Sequence, residues 1–446
     1  MSELLAPAWA GTGAGELVDD RALLAAMLDT EAALAEAQAE LGAIPETAAK
    51  AIRAVEVTDL DRQAIAAGVR ETANPVVAFV TALTAAVDPA AAEYVHRGST
   101  SQDILDTALM LLCASTLDRV ERDLRTTAAS LADHVRTHRD TPMAGRTLTQ
   151  HAVPVTFGLK AATWLHGVLD AVERVRRARA DLPVSLGGAA GTLAAYEEYA
   201  AAGKAALSRE SAASVLPDRV AEKLGLAPQV LPWHGIRTPI ADVASALLVT
   251  TGALGKIAAD VLVLARTEIG EVTEERAPGR GASSAMPQKH NPVFATLVAT
   301  AARQLPALAV VLFGSMTAED ERSSGGWHAE WQPLRDALRI AAGAAANGVR
   351  LAETLRVHPE AMAANLRLTR GAIVSERVNA VLAPKLGKAA AKRLLTEATA
   401  EAERTGADLA GLLDVSPGLL DPAGYTGLSG PLADRALARF EHEERR

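Results

Sequence analysis

Hydrophobic positions recur at helical spacing over long stretches of this chain, and prolines separate the stretches. The pattern predicts long helices over residues 104–136, 155–180, 293–313 and 333–355, preceded by a shorter helix over residues 20–41. No proline occurs between Pro89 and Pro142 or between Pro239 and Pro278. The second gap is long enough for a helix of about 35 residues. The sequence therefore predicts a bundle of long helices.

Two of these helices carry stretches that are apolar on nearly every side, over residues 295–302 and 340–346. A helix of this kind must be buried on every side, which in a soluble protein indicates a bundle core shared between subunits. Shorter helices precede and follow this central part. We therefore expect an N-terminal helical domain over residues 1–108, a central helix-bundle domain over 109–358 and a C-terminal helical domain over 359–446.

The composition supports an all-α fold. Hydrophobic residues make up 49% of the 446 residues but aromatic residues only 3%, so alanine and leucine, the best helix formers, supply most of the apolar positions. A net charge of −9 disfavours nucleic acid as a partner. The single cysteine, Cys113, excludes an internal disulfide and a cysteine-based zinc site. No signal peptide and no uncharged apolar stretch of about 18 residues is evident, so we expect a soluble, cytoplasmic protein that binds no membrane.

Three polar segments interrupt the alanine- and leucine-rich background, over residues 96–103, 145–151 and 279–292. Each contains glycine and comes directly before a predicted helix. Thr100 or Ser101 can cap the first helix, Pro154 can open the second, and Asn291 can cap the third. Because the N-terminus of a helix offers free N–H groups and a partial positive charge, these segments suit a small polyanionic ligand.

A structural explanation stands beside the functional one. Serine, threonine and asparagine before a helix are most often simple caps. His151 alone is more often a hydrogen-bonded structural residue, and Cys113 and His328 are expected to pack. The segment over residues 279–292 favours the functional interpretation over the structural one. It is longer than a simple turn, and long loops within compact domains are often functional. It contains no Walker sequence, and the chain shows no metal-ligand spacing.

These segments resemble the three conserved blocks of the fumarase/aspartase superfamily. Residues 283–292, Ser-Ser-Ala-Met-Pro-Gln-Lys-His-Asn-Pro, resemble its signature loop, and residues 100–107 and 145–160 resemble its first and second blocks. The blocks occur in the family's order. Within the superfamily, residues 187–193, 231–234 and 321–331 resemble the 3-carboxy-cis,cis-muconate cycloisomerases, whereas adenylosuccinate lyase shares only the three general blocks.

The resemblance implies an all-α, three-domain protein whose long helices form a twenty-helix core in a homotetramer. Each active site would combine the blocks of three subunits and act on a small polycarboxylate without a metal or organic cofactor. Ser283 would remove the proton next to a carboxylate, and His151 would transfer a second proton. The substrate-binding residues implied are His96, Arg97, Thr100, Ser101, Gln102, Gln150, Arg237, Lys289 and Asn291.

Three positions depart from the family's pattern. Ala282 replaces a glycine, Arg97 stands where the cycloisomerases are expected to have tryptophan, and Asp320 stands where histidine is expected. The sequence favours a cycloisomerase that forms 4-carboxymuconolactone from 3-carboxy-cis,cis-muconate in protocatechuate breakdown. The alternative is a lyase that releases fumarate by eliminating an amine or related leaving group from a substituted succinate. A protein that kept the fold and lost catalysis is disfavoured, because Ser283 and His151 are both present.

Overall fold

The computed structural model describes residues 3–202, 209–282 and 285–445. Within them the chain is predominantly helical with little sheet, which confirms the predicted all-α class. The helices are α1 (Asp20–Glu40), α2 (Glu46–Arg53), α3 (Arg62–Thr72), α4 (Val76–Ala86), α5 (Ser101–Thr137), α6 (Phe157–Ala180), α7 (Ala194–Ala202), α8 (Arg209–Leu224), α9 (Thr238–Leu264), α10 (Val293–Gly314), α11 (Gly326–Thr354), α12 (Pro359–Leu366), α13 (Ser375–Leu386), α14 (Lys388–Thr405), α15 (Leu409–Leu412) and α16 (Ser429–Glu444). The strands β1 (Pro142–Thr147) and β2 (Gln150–Thr156) pair antiparallel, as do β3 (Val272–Glu274) and β4 (Leu355–Val357).

The long helices lie close to the predicted ranges, with two differences at their ends. Helix α9 has 27 residues and ends at Leu264, well short of the next proline. Helix α11 begins at Gly326, before Pro333, because the Ser323 hydroxyl accepts a hydrogen bond from the Trp327 N–H at 3.0 Å and caps the first turn. The sequence had placed that start at the proline.

The second polar segment forms a β-hairpin, so the prediction that Pro154 opens a helix is wrong. Pro154 lies inside strand β2, opposite Ala144, and helix α6 begins three residues later. The turn consists of Leu148 and Thr149, which both have positive φ angles, 48° and 72°. Two consecutive left-handed residues are the geometry of a two-residue hairpin turn.

The chain divides into two compact units. One comprises residues 1–122, 171–252 and 300–346, and the other comprises residues 123–170, 253–299 and 347–446. We call them unit 1 and unit 2. The division into three domains at residues 108 and 358 stays a prediction.

Unit 1 packs around residues from its helices. Met27, Phe79, Leu83, Ile104 and Leu109 are almost completely buried. At Gly343 the backbone lies so close to the N-terminal segment that a side chain would not fit. A Cβ there would lie 2.5 Å from the carbonyl oxygen of Ala8.

Unit 2 has an aromatic centre and a C-terminal apolar cluster. The ring of Phe157 meets those of His138 and Trp164 edge to face, at centroid distances of 5.4 and 5.6 Å. The apolar cluster joins the hairpin residue Ala144 to residues of α12–α15, including Leu366 and Val378. The hairpin is thereby fixed to the C-terminal helices of its own unit.

Helices α9 and α10 are long and apolar enough to cross a membrane by length and composition. Neither helix is uncharged, because Asp242, Lys256 and Asp260 interrupt α9 and Arg303 interrupts α10, so the expectation that no uncharged apolar stretch of about 18 residues exists is not contradicted. Only 44% and 33% of their most apolar windows are buried within the chain, and Val310 on α10 is 72% exposed. Buried core helices of soluble proteins pass the same test, and an apolar face left exposed on one chain is what a helix of a shared bundle would show.

Candidate active site

The first polar segment, residues 96–103, is organised by one buried carboxylate. Asp103 lies in the first turn of α5 and is fully buried. It accepts hydrogen bonds from the backbone N–H groups of Thr100 at 3.1 Å, Gly187 at 2.7 Å and Gly188 at 3.0 Å. The start of α5 and the Gly187–Gly188 turn are therefore held on the same side chain.

Two further side chains complete the surroundings of Asp103. His234 Nε2 lies 2.8 Å from Oδ1, and the Tyr196 hydroxyl donates to Oδ2 at 3.0 Å. Burial, reinforced by the charge of Asp103, raises the pKa of Tyr196 well above its usual value, so the phenol keeps its proton. The same hydroxyl lies 2.8 Å from the Ser99 Oγ. This network fixes the backbone that presents Thr100 and Ser101.

Arg237 and Gln102, both expected to bind substrate, lie in a buried polar network. Arg237 is 2% exposed, and it donates to Asp106 at 2.7 and 3.1 Å and to Glu330 at 2.7 Å. Gln102 Nε2 donates to Asp106 Oδ2 and to the His234 carbonyl oxygen, both at 3.1 Å. These contacts favour a positioning role for Arg237 and Gln102 over direct contact with substrate.

His96 and Arg97 precede α5 and are each held in place. The His96 ring Nδ1 lies 2.6 Å from Glu31 Oε1. Burial alone would lower the pKa of His96, but the hydrogen bond and charge of Glu31 raise it overall. The Arg97 guanidinium lies over the rings of Tyr94 and Tyr199, 4.5 and 4.7 Å from their centroids.

Sequence reasoning gave no role to Arg322, which the structure brings to the first segment. Its Nη1 donates to the Thr100 Oγ1 at 2.7 Å. Residues 321–323 had contributed only to the family resemblance. The exposed guanidinium adds a positive charge beside Thr100 and Ser101, where an anionic ligand is expected.

The second polar segment places Gln150 and His151 at the start of strand β2. Gln150 is exposed, and its Nε2 donates to the Thr149 Oγ1 at 3.3 Å. His151 pairs in register with Arg146 of β1. Arg146 in turn forms a bidentate ion pair with the buried carboxylate of Glu271, at 2.9 and 2.7 Å. Burial, then the charge of Arg146, lowers the pKa of His151, and Glu271 opposes this in part.

The described residues of the third polar segment are mostly exposed, and two backbone contacts close its base. The Asn291 N–H donates to the Gly281 carbonyl oxygen at 3.0 Å, and Ala282 forms an antiparallel bridge with His290. Gly281 has φ +64°, and a Cβ there would lie 2.5 Å from the Asn291 carbonyl oxygen, so the base requires glycine. Lys289 and Asn291 are exposed. Ser283 lies outside the described residues.

The helix that follows this loop has two of its first N–H groups already engaged, whereas the sequence had suggested that they are free. The Glu274 carboxylate accepts hydrogen bonds from the backbone N–H groups of Phe294 at 3.0 Å and Ala295 at 2.8 Å. An acidic side chain of the protein therefore already occupies the N-terminus of α10.

The expected site residues divide between the two units. Unit 1 contains His96, Arg97, Thr100, Ser101, Gln102 and Arg237, and unit 2 contains Gln150, His151, Lys289 and Asn291. Among the described residues, no group of three or more histidine, cysteine, aspartate or glutamate side chains is placed to hold a metal ion. Together these residues include cations, hydroxyls and two imidazoles, which are the groups needed for acid–base chemistry on a carboxylate substrate.

Comparison with known proteins places the chain among lyases and cycloisomerases. Residues 15–306 match the model of a family described as Lyase. The chain is 56% identical to the nitrosuccinate lyase of Streptomyces davaonensis, over 98% of this chain and 94% of that protein. It is 41% identical to the 3-carboxy-cis,cis-muconate cycloisomerase of Pseudomonas aeruginosa, over 94% and 92%. The crystal structure of 3-carboxy-cis,cis-muconate lactonizing enzyme from Pseudomonas putida superposes with a TM-score of 0.90 and 36% identity, over 99% of both chains.

Proposed function

We propose that this protein is a lyase that eliminates nitrite from nitrosuccinate to give fumarate. The chain belongs to the lyase family of the fumarase/aspartase superfamily. Membership in the superfamily confirms the resemblance found in the sequence. The observation that carries the proposal is the 56% identity to nitrosuccinate lyase, which exceeds the 41% identity to a cycloisomerase. The lyase alternative of the sequence analysis thus replaces the cycloisomerase as the leading function.

Arg97 supports this choice of substrate. It stands where the cycloisomerases are expected to have tryptophan, and the rings of Tyr94 and Tyr199 hold its guanidinium. Planar guanidinium groups bind planar two-oxygen anions through paired hydrogen bonds. A nitro group and the nitrite formed from it both present two oxygens in a plane. In this proposal Arg97 binds the leaving group.

The elimination breaks two bonds of the substrate and forms one. Ser283, as the alkoxide, takes the proton from the carbon next to the carboxylate that does not adjoin the nitro group. The electron pair of that C–H bond first forms an aci-carboxylate, and then the carbon–carbon double bond. The C–N bond breaks and its electron pair leaves with nitrite. Lys289 and Asn291 hold the carboxylate on which negative charge develops, which is where fixed positive charge accelerates the reaction.

Within the same proposal, Thr100, Ser101 and Gln150 add hydrogen bonds to the second carboxylate. The working enzyme is a cytoplasmic homotetramer in which each active site takes Thr100, His151 and Ser283 from three different subunits. The exposed apolar side chains of α10 support such an assembly, because they would be buried in a shared helical core. No metal or organic cofactor is required, because both the base and the charged groups are protein side chains.

The cycloisomerase remains the second candidate. The rings of Trp327, His328 and Trp331 contact one another, at centroid distances of 4.8 to 5.3 Å, in the stretch whose sequence resembles the cycloisomerases. In that reaction a substrate carboxylate would add across a conjugated diene.

One paired assay separates the two candidates. The purified protein is mixed with nitrosuccinate, with nitrite and fumarate measured, and separately with 3-carboxy-cis,cis-muconate, with diene absorbance followed. Equal release of nitrite and fumarate supports the proposal, whereas loss of the diene alone replaces it with the cycloisomerase. Ser283→Ala should lower turnover severely and leave the assembly unchanged by light scattering. Lys289→Met should raise KM and lower kcat together.

The shared active site has its own test. Ser283→Ala and Arg97→Ala proteins are unfolded, mixed and refolded together. Hybrid tetramers would contain some sites in which both residues are intact, so activity should rise above that of either variant alone. Activity that never rises above the two parents contradicts sites built from several subunits.

A further inference from the structure

The hairpin of β1 and β2 places a fixed cation beside His151. Arg146 and His151 are direct partners in the antiparallel pairing. Directly opposed residues project their side chains to the same face of the sheet, with Cβ atoms about 5 Å apart. The turn of Leu148 and Thr149 is only two residues long, which sets this register.

The cation is itself held by a buried carboxylate. Glu271 is fully buried, and both of its oxygens accept hydrogen bonds from Arg146. Asn365 Nδ2 donates to Glu271 Oε1 at 2.7 Å. The carboxylate therefore cannot turn away without losing three hydrogen bonds. Arg146 keeps one orientation relative to the hairpin as a result.

Several other charged groups around strand β2 pair with one another. The 3-10 segment Ala372–Val374 packs against β2 and carries no titratable side chain. Helix α16 also packs against β2. Four of its charged side chains pair away from the hairpin: Asp434 with Arg139, Arg439 with Asp170, Glu441 with Arg136 and Glu444 with Arg125. On α6, Lys160 lies 3.9 Å from Asp260.

The surroundings of His151 favour its neutral form. Its Nδ1 is buried and has no hydrogen-bond partner among the described residues. Protonation would place a charged N–H at this buried atom, with no acceptor among the described residues to stabilise it. Burial and Arg146 both lower the pKa of His151, and Glu271 only partly offsets them. Geometry and charge both favour the neutral imidazole.

We propose that Arg146 is a positioning residue that acts through His151: fixed by Glu271, it keeps the imidazole uncharged and so restricts the enzyme to leaving groups that depart as stable anions. This inference rests on the proposed function, because it concerns the fate of the leaving group. Nitrite is the conjugate base of an acid and departs with the C–N electron pair alone. An amine must receive a proton as it departs, and a neutral imidazole has no proton of sufficient acidity to give.

The first measurement concerns the charge of His151 and needs no substrate. The whole protein is labelled with 13C at histidine Cε1, and the ring signals are followed by NMR from pH 5 to 9. Comparison with a His151→Gln protein identifies the signal. Arg146→Gln should move the His151 titration to higher pH, and Glu271→Gln should move it to lower pH. Arg146→Lys retains the charge and should remain near the parent.

These opposite shifts separate an electrostatic effect from a structural one. A hairpin that merely loosened would move the titration toward that of an exposed histidine in both glutamine variants. Identical shifts in both variants, or no shift in either, would overturn the proposal. Should Glu271→Gln fail to fold, the Arg146→Gln and Arg146→Lys pair still decides, because only the former removes the charge.

The second measurement concerns the leaving group. Nitrosuccinate and an N-substituted aspartate are compared as substrates in the parent and in Arg146→Gln. The ratio of amine to nitrite elimination should rise about tenfold or more in the variant, since a protonated imidazole becomes available as an acid. An unchanged ratio, despite a shifted titration, would overturn the restriction on leaving groups. If neither protein releases nitrite, the proposed function fails, while the NMR result still decides the charge of His151.

Discussion

His234 Nε2 lies 2.8 Å from Asp103 Oδ1, with both side chains buried, although 131 residues separate them in the chain. The same carboxylate accepts hydrogen bonds from three backbone N–H groups and from the Tyr196 hydroxyl. One side chain therefore joins the start of α5, the Gly187–Gly188 turn and the segment carrying His234. Thr100 and Ser101 owe their positions to this junction.

Replacing Asp103 by asparagine should destabilise the fold and reduce activity. An amide offers one acceptor oxygen where the carboxylate offers two, so at least one buried donor loses its partner. The expected loss is about 3 kcal/mol of unfolding free energy, measured by urea denaturation of the parent and Asp103→Asn proteins. Asp61→Asn is the matched control, because Asp61 caps α3 at the surface and asparagine caps equally well. Equal stability of the parent and Asp103→Asn proteins would contradict the claim that Asp103 holds these segments together.

If Arg237 serves mainly to form its buried ion pairs, replacing it should lower stability. If it binds substrate instead, replacing it should mainly raise KM. Arg237→Met leaves Asp106 and Glu330 without their cation in a buried site, which costs about 3–5 kcal/mol. We expect poor folding or a much lower melting temperature by calorimetry. Arg404→Met removes one partner of an exposed ion pair with Glu401 and should change stability by less than about 1 kcal/mol. A stable Arg237→Met protein with only a raised KM would instead place Arg237 on the substrate.

Helices and their order could be predicted from the sequence because apolar spacing and proline positions act locally. The hairpin could not, since its turn residues Leu148 and Thr149 are not the asparagine and glycine that usually indicate left-handed turns. Pro154 also suggested a helix start, although proline fits equally well in this strand. The candidate site residues were predicted from motifs, whose order along the chain is visible without structure.

Contacts between distant segments were not predictable from local patterns. Glu274 occupies the start of α10 from 20 residues upstream, and Arg322 reaches Thr100 across 222 residues. Arg237 looked like a free charge in the sequence because its two carboxylate partners are remote. Such pairings depend on tertiary packing. The local sequence around one residue does not indicate which distant residue it will contact.

The ion pair of His96 and Glu31 should make stability depend on pH. Glu31 raises the pKa of His96 overall, despite the opposing effect of burial. A histidine with a raised pKa in the folded state stabilises the fold fully below its unfolded value of about 6.5, and this contribution is lost as pH rises through the folded value. The melting temperature should therefore decrease between pH 6 and pH 8 more steeply in the parent than in His96→Gln, by scanning calorimetry.

Two further variants test this assignment. Glu31→Gln should flatten the pH dependence in the same way as His96→Gln, because it removes the charge that favours the protonated ring. His442→Gln, at an exposed position of α16, should leave the slope unchanged. A parent whose melting temperature rises over the same range would contradict the direction of the His96 effect.

Arg97 provides the last prediction, which concerns selectivity. Arg97→Ala removes a guanidinium proposed to bind the nitro group while leaving Tyr94 and Tyr199 in place. Loss of a charge-assisted hydrogen bond of about 1.5–3 kcal/mol should lower kcat/KM for nitrosuccinate by about 10- to 150-fold, measured by nitrite release. Arg70→Ala, at an exposed position in the last turn of α3, should leave activity unchanged. Arg97→Lys keeps the charge without the planar pair of donors, so its activity should fall between those of the parent and Arg97→Ala. Parent activity in Arg97→Ala would remove this residue from leaving-group binding and require another cation for that role.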